Sequence, residues 1–475
     1  MKKIKKIITL ILCLVLGLNV LGSIKPIKAY TREGEIKRTG YFEWNYLYNE
    51  DGTIEGVKIT SFGPRTDAEG MPIEEFETPT ELIYPESIEG YKVIAIDATG
   101  YWFGVRYQDI KKTIVPQYVQ ELTRGSWCGE LVIADNNKYY CCENQALYNI
   151  DKTKLISYWG EDKIFSIPDT VKIIGEGALS GSRFDTITIP KNVEIIEEKA
   201  FYGAAINQIV IPENVKSIGK EAFYRCEKLN KVAFMDAIKV DEEAFSFSGI
   251  KEIEIPSGSV VDGCAFRYCE KLKKIIFKGD AKWKGNISLQ YTSIKKYKIP
   301  DGITKVSAGM FLGCEKLENV TIPVSVKKIE RQAFQNCVKL AHIKYAGTKK
   351  QWNKIKFSKT GNLWGKFAKI TTTNSSWKNK VKLNKKIKLT RVYKKTAKKA
   401  LVLLEEYNNA DGYQVKLVAK KHHLKKTYSG SEARSELIKG MKKGKKYKAY
   451  IRYYVIIAGK KYYSKWSKGE KVEKK

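Results

Sequence analysis

The apolar positions between residues 164 and 346 follow one short pattern written repeatedly. In ITIPKNVEIIEEKAFYGAAINQ from Ile187 and IVIPENVKSIGKEAFYRCEKLNK from Ile209, an apolar-x-Ile-Pro segment is followed by Val three residues after the Pro. Ala-Phe follows ten and eleven residues after it. Equivalents of the Pro stand at Pro168, Pro190, Pro212, Met235, Pro256, Lys278, Pro300, Pro323 and Ala346, and every gap lies within one residue of 22. The first segment alternates with period two, as in Ile187-Thr188-Ile189, which predicts a short strand with one buried and one exposed face. Pro ends it because Pro cannot donate to a ladder. A second apolar group, such as Val215, Ile218, Ala222 and Phe223, must turn inward against the strand of its own coil. One coil cannot bury that face alone, so the pattern predicts a stacked solenoid with a continuous core.

Upstream the pattern loosens. TIVPQYVQELTRGSW from Thr113 keeps Val-Pro, a Val three residues later and Trp127 at the Phe position, and LIYPESIEGYKVIAI from Leu82 is a more distant relative. Before Pro168 lies an insertion, ADNNKYYCCENQALYNIDKTKLISYW, whose Asn-Ile-Asp between two apolar runs predicts a hairpin. Asp51-Gly52 between the aromatic-rich runs of residues 41–62 predicts another, within an N-terminal cap. After ITTTNSSWKN at 370–379 the period stops and alternation takes over. Tyr413, Val415 and Leu417 share one strand face, as do Tyr447, Ala449, Ile451, Tyr453 and Val455. About 99 residues of such strands suit a β-sandwich.

The Ile211-Pro212, Ile218-Gly219 and Ala222-Phe223 signposts resemble those of the BspA-like bacterial surface leucine-rich repeat proteins. NKYYCCENQALYNIDKTKLISY resembles a segment typical of them, and YAGTKKQWNKIKF at 345–357 resembles their closing coil. The resemblance covers residues 41–372 and implies a curved β-rich solenoid with a surface or secreted binding role. MKKGKKYKAYIRYYVIIAGKKYYSKWSKGEKV resembles a fibronectin type III domain, which implies the tyrosine-corner position for Tyr447 and the preceding turn for Gly444. The tryptophan usual in the second strand of that family is missing near LVLLEEY at 401–407. The expected fold is thus mainly β: a leucine-rich-repeat-type solenoid of about 22-residue coils followed by an immunoglobulin-like (fibronectin type III) β-sandwich.

Charge and leader residues change the picture. Lysines precede an apolar run from Ile7 to Leu21, with a small residue at Ala29, which predicts a secretory signal peptide over 1–29. The run is short for a membrane span, and no transmembrane segment is expected after cleavage. Cys13 lacks the small residue before it that lipidation prefers. The expected organisation is a cap region over 30–81, the solenoid with its closing coil over 82–372, and a basic module over 377–475. Of the formal charge of +34, residues 377–475 hold +24, the first 29 residues +6, and the stretch between only +4. A polyanionic partner should therefore meet the C-terminal end, unless the lysines only solvate it. KGEKVEKK closes the chain without a sorting motif, so covalent wall anchoring is not expected.

Catalysis is poorly supported. There are three histidines, at 342, 422 and 423, and no His-Glu-x-x-His, Gly-x-Ser-x-Gly or Walker motif. GEGALSG at 175–181 has the wrong glycine spacing for a dinucleotide loop and fits the repeat. Cys141-Cys142 has no further ligand nearby, and Glu197-Glu198 and Glu242-Glu243 read as solvated turns rather than glycosidase carboxylates. No cofactor, metal or nucleic acid is expected. The residue three after the Phe position runs Ser182, Ala204, Cys226, Ser248, Cys269, Cys314 and Cys337: a slot for a small residue, not a metal site. Cys314 and Cys337 lie within disulfide reach, but free thiols are expected.

The outward strand positions two before each marker remain: Ser166, Thr188, Val210, Ala233, Glu254, Ile276, Lys298, Thr321 and Lys344. Glu252, Lys274, Lys296, Asn319 and His342 stand two residues earlier. Glu252, Glu254, Lys274, Lys296, Lys298, Thr321, His342 and Lys344 are the candidate partner-binding residues. The expectation is an exported bacterial surface or secreted protein recognising a host or bacterial protein or glycan, its basic module a spacer or a tether to anionic envelope polymers. The rivals are a structural envelope protein without a ligand and an enzyme whose site the sequence hides.

Overall fold

The computed structural model describes residues 32–64, 77–98, 107–123, 125–184, 186–358, 368–378, 391–396, 398–404, 410–430, 434–457 and 460–474. The segment assigned to the signal peptide lies outside them. The chain forms two compact units, Met1–Gln145 and Ala146–Lys475. Among the described residues the protein is almost wholly β. The helices among the described residues are a single 3-10 turn, Tyr107–Asp109, and one short α-helix, Lys349–Trp352. No helix among the described residues is long and apolar enough to cross a membrane.

In the first unit, Phe42–Tyr48 and Ile54–Phe62 pair antiparallel around the predicted Asp51-Gly52 turn. Gly52 sits at φ 84°, a conformation open to glycine. Tyr91–Ile96 adds to the hairpin in parallel. Trp44, Val57, Ile59 and Val93 are fully buried, and the Trp44 indole N–H donates to Thr39 Oγ1 at 3.0 Å. The two loosened coils read from the sequence supply parallel strands, Glu81–Ile83 and Lys112–Val115, which Glu130–Ile133 continues.

The second unit begins with the predicted insertion hairpin, Ala146–Asn149 against Lys154–Tyr158. Each following coil contributes two short strands. The first, ahead of the Pro marker, runs through Ile164–Ser166, Thr186–Thr188, Gln208–Ile211, Lys231–Phe234, Glu252–Ile255, Lys274–Phe277, Lys296–Lys298, Asn319–Ile322, His342–Tyr345 and Lys369–Thr371. The second runs from Ile173–Ile174 through Ile195–Ile196, Ser217–Ile218, Lys239–Val240, Val260–Asp262 and Lys282–Lys284, all parallel and in one sheet. Lys305–Val306, Lys328–Ile329 and Lys356–Phe357 form a separate parallel sheet. The first strands do not make one continuous sheet. They pair two by two as far as Phe277 and form a longer ladder only from Lys296 onward.

Between the rows, Phe201, Phe223, Phe245 and Phe266 stack coil on coil at centroid separations of 4.8, 5.1 and 5.6 Å. All four are completely buried, so the Ala-Phe signpost is the spine of the core. The solenoid closes where Thr348 caps Lys349–Trp352 in a capping box with Gln351, seating buried Trp352 edge-on to Tyr345 at 5.4 Å.

The cysteines in the small-residue slot do more than fill it. The thiols of Cys226, Cys269, Cys314 and Cys337 each donate to a carbonyl of the preceding coil, those of Phe201, Phe245, Leu289 and Phe311, at 2.9–3.0 Å. Where a hydroxyl replaces the thiol, Ser182 and Thr292 donate to Leu179 and Leu289 in their own coil. The cysteines are therefore compact hydrophobes that also satisfy backbone carbonyls. None of the eight described cysteines is joined in a disulfide. Burial pushes the Cys226 thiol up to about 12 and those of Cys269 and Cys314 to about 11. Alkylation of native protein at pH 8 is therefore expected to spare these three and Cys337 until denaturant is added, with no mass change on reduction. Rapid native labelling of Cys226 would contradict the packing.

The C-terminal residues build their own core. Gly412–Ala419 and Lys448–Ile457 pair antiparallel with Tyr413 opposite Tyr453, Val415 opposite Ile451 and Leu417 opposite Ala449. The faces read from alternation are buried throughout. They pack with Val392, Val402 and Ile438 of a second sheet in one cluster. Tyr447 Oη accepts from the Lys442 N–H at 3.0 Å and lies 2.7 Å from His422 Nδ1, closing the turn in which Gly444 takes φ 80°.

Candidate functional site

Alternation in a half-buried strand sends every second side chain outward, and the first-strand row obeys this. Glu252, Glu254, Lys274, Lys296, Lys298, His342 and Lys344 are exposed. Thr321 is half-buried, which corrects its expected exposure. It lies between Lys298 and Lys344 in the ladder, and a short side chain flanked by two long ones is shaded by their stems. Ala233, Ile276 and Asn319 are half-buried as well.

The register gathers these residues into two groups. Glu252 stands opposite Lys274, and Glu254 opposite Ile276. Lys296, Asn319, His342 and Lys369 form one column of the longer ladder, and Lys298, Thr321, Lys344 and Thr371 the next. No strand pairing joins Lys274–Phe277 to Lys296–Lys298, so the eight candidates do not form one hydrogen-bonded face. Glu254 pairs with Lys278 at 3.4 Å and Lys298 with Asp301 at 3.1 Å, both well exposed and therefore weak. The acidic pairs dismissed as carboxylate sites are held in ion pairs: Lys154 with Glu197 at 2.8 Å, Lys199 with Glu198 at 2.8 Å, Lys220 with Glu242 at 3.4 Å, and Arg267 with Glu243 at 2.9 Å. Among the described residues no three His, Cys, Asp or Glu side chains are grouped to hold a metal ion. Burial raises the Cys142 thiol to about 12, with the neighbouring Cys141 adding to the shift.

A feature missed in the sequence is a second aromatic ladder, just past the buried Phe spine. Tyr202 stacks on Tyr224 at 5.2 Å, Phe247 on Tyr268 at 4.5 Å and Tyr268 on Tyr291 at 5.1 Å, while Tyr224 and Phe247 meet tilted at 5.2 Å. Tyr291 is exposed and the other four half-buried. Arg225 lies over the Tyr224 and Phe247 rings and Arg267 over Tyr268. The aromatic moves from the first to the second residue after the Phe position between Tyr224 and Phe247, which breaks the period that would have revealed it. At that second position the backbone is left-handed: Gly181, Gly203 and Gly313 occupy it in other coils, whereas Phe247, Tyr268 and Tyr291 hold φ 56–59°. An L side chain there is strained by roughly 1–2 kcal/mol, an amount that ring stacking offsets in part.

Comparison with known proteins agrees with the repeat reading. A family model described as a BspA type leucine-rich repeat region matches in six copies over residues 158–263 and 239–363. Among solved structures, a leucine-rich cell surface protein from Faecalibacterium prausnitzii is similar over 68% of this chain and 98% of its own, at 22% identity and a TM-score of 0.40. A leucine-rich repeat protein from Bacteroides ovatus is similar over 65% of this chain and 70% of its own, at 23% identity and TM-score 0.37. One from Eubacterium ventriosum covers 63% and 93%, at 18% and 0.40. No curated protein matches the chain.

Proposed function

We propose that this is an exported surface or secreted binding protein, without catalytic activity, that recognises an extracellular protein or glycan through the outward face of its first-strand row. The observation that carries this reading is the pair of adjacent columns from Lys296 to Thr371, whose exposed Lys296, Lys298, His342, Lys344 and Lys369 have no place in the core. Repeat proteins bind through extended faces of this kind. The repeat-family match supports a binding or adhesion role. In this reading a cap over 30–81 precedes the solenoid of 82–372. The basic module over 377–475 is an immunoglobulin-like sandwich of the fibronectin type III kind, which spaces the solenoid from an anionic envelope or holds it there. Two sheets around one core and the Tyr447 turn contact support that assignment.

The test is binding of the mature chain to protein and glycan arrays and to purified cell walls over a salt series. Lys296→Glu with Lys344→Glu should abolish capture of an array partner while leaving wall retention intact. Lys442→Gln, Lys443→Gln and Lys446→Gln together should weaken wall retention at low salt. An array partner indifferent to the first pair would sink the recognition face. Wall retention indifferent to the triple change would sink the tether. A chain that stays on the wall with no array partner is a structural envelope protein instead.

A further inference from the structure

The outward positions of the second-strand row carry a charge pattern that the recognition face does not explain. From coil to coil they run Ile173, Ile195, Ser217, Lys239, Val260, Lys282, Lys305, Lys328 and Lys356. Apolar and small residues fill the early positions, so the coil does not require lysine there. In the last sheet Lys305 stands opposite Lys328, and Lys328 opposite Lys356. All three are exposed. At the usual strand spacing of about 4.8 Å, like charges directly opposite one another repel and oppose folding.

Several cations of the earlier coils are neutralised internally. Carboxylates in the turn after the second strand pair with lysine or arginine, as in Lys154–Glu197, Lys239–Asp241 and Arg267–Glu243, at 2.8–3.0 Å. In the last coils the corresponding residues are Ser307-Ala308-Gly309 and Glu330-Arg331-Gln332. Glu330 pairs with Lys328 at 3.0 Å, and its carboxyl is held below its ordinary range by Lys328 and, more weakly, Lys305. Among the described residues no carboxylate lies within ion-pair distance of Lys305 or Lys356. The low central charge seen in the sequence hides this contrast. Residues 146–273 hold 17 Lys/Arg against 20 Asp/Glu, whereas residues 274–358 hold 18 against 5.

We propose that the Lys305–Lys328–Lys356 column is a binding site for an acidic polysaccharide bearing one carboxylate per sugar, laid along the stacking direction. A linear polymer of regularly repeating charge matches one cation per coil. Lysine, a point charge on a flexible stem, follows such a chain without demanding a fixed fork geometry. The column positions hold lysines alone, and Phe357, exposed beside Lys356, is a single ring packed on Trp352 at 5.6 Å rather than a row on which bases would stack or an apolar row that would enter a bilayer. The site is independent of the first-strand reading.

The test compares the full mature chain with Lys305→Glu, Lys328→Glu and Lys356→Glu combined, and with a charge-matched control, Lys191→Glu, Lys228→Glu and Lys251→Glu. All three also carry Lys442→Gln, Lys443→Gln and Lys446→Gln, so that the basic C-terminal residues' own hold on the polymer is weakened equally in each and does not mask the column. Binding of polygalacturonate at low salt should fall about tenfold or more in the column variant and less than about twofold in the control. Methyl-esterified polygalacturonate should not bind. Lys305→Gln with Lys356→Gln, which leaves the Lys328–Glu330 pair in place, should bind more weakly yet melt no lower than the parent, because it removes repulsion. Equal losses in column and control variants would mean net charge alone and overturn the site, as would no binding by the parent. So would equal losses for duplex DNA or anionic phosphatidylglycerol vesicles, or a lower melting temperature in the Gln variant.

Discussion

Phe245→Ala is expected to lower the unfolding free energy by about 3–5 kcal/mol, the range for deleting a fully buried aromatic ring. Phe245 has no exposed surface and lies parallel to Phe223 at 5.1 Å and to Phe266 at 5.6 Å, with the edge of Phe234 at 6.2 Å. Removing it interrupts the spine at mid-length, and the neighbouring rings are held by their own backbones. The Phe223 and Phe245 N–H groups donate to Ala244 and Ala265 in the next coil, so the gap cannot close by sliding one coil onto another. Coils touch only their neighbours, and such a lesion should weaken cooperativity as well as stability. Tyr224→Ala, in the half-buried outer ladder, is expected to lose only about 1 kcal/mol. Denaturant unfolding of both variants measures this, and equal losses would mean that the outer ladder shares the structural load.

That spine was legible in the sequence because burial of a coil's inner face leaves no freedom at the Ala-Phe pair. Period and apolar identity therefore survive together in every coil from Ala200-Phe201 to Ala265-Phe266. Turn chemistry at Asp51-Gly52 and alternation in residues 413–417 and 447–455 were legible for the same reason, each resting on a local backbone requirement. The surface was less so. Alternation gave the outward direction of Lys298 and Lys344, but the shading of Thr321 depends on register between coils. The break between Lys274–Phe277 and Lys296–Lys298 falls between neighbouring coils and leaves no mark in the period. The outer aromatic ladder shifts by one residue between Tyr224 and Phe247, and a left-handed position normally reads as a glycine site. The lysine column was hidden in a summed charge, since carboxylates near Glu197 and Glu243 offset lysines several coils away.

Asp411→Asn is expected to stabilise the protein at neutral pH and to have no effect below about pH 4. Asp411 begins the turn into Gly412–Ala419, where its Oδ2 accepts from the Ile456 N–H at 2.5 Å. Burial raises its carboxyl to about 6, and the Ile456 N–H opposes that rise only in part. The folded state therefore binds the proton more tightly than the unfolded chain. This contribution is fully present below the unfolded value of 3.8 and is lost as pH rises toward about 6. At about 1.4 kcal/mol per unit, the loss is at most about 3 kcal/mol. An asparagine keeps an oxygen for the Ile456 N–H without carrying the buried charge. Urea unfolding of both proteins at pH 4, 5, 6 and 7 should show curves that coincide at pH 4 and separate in favour of the asparagine variant as pH rises. If that variant is instead the less stable at pH 7, the charged hydrogen bond to Ile456 outweighs the burial of Asp411. The contribution of Asp411 to stability would then fall toward acid rather than toward neutrality.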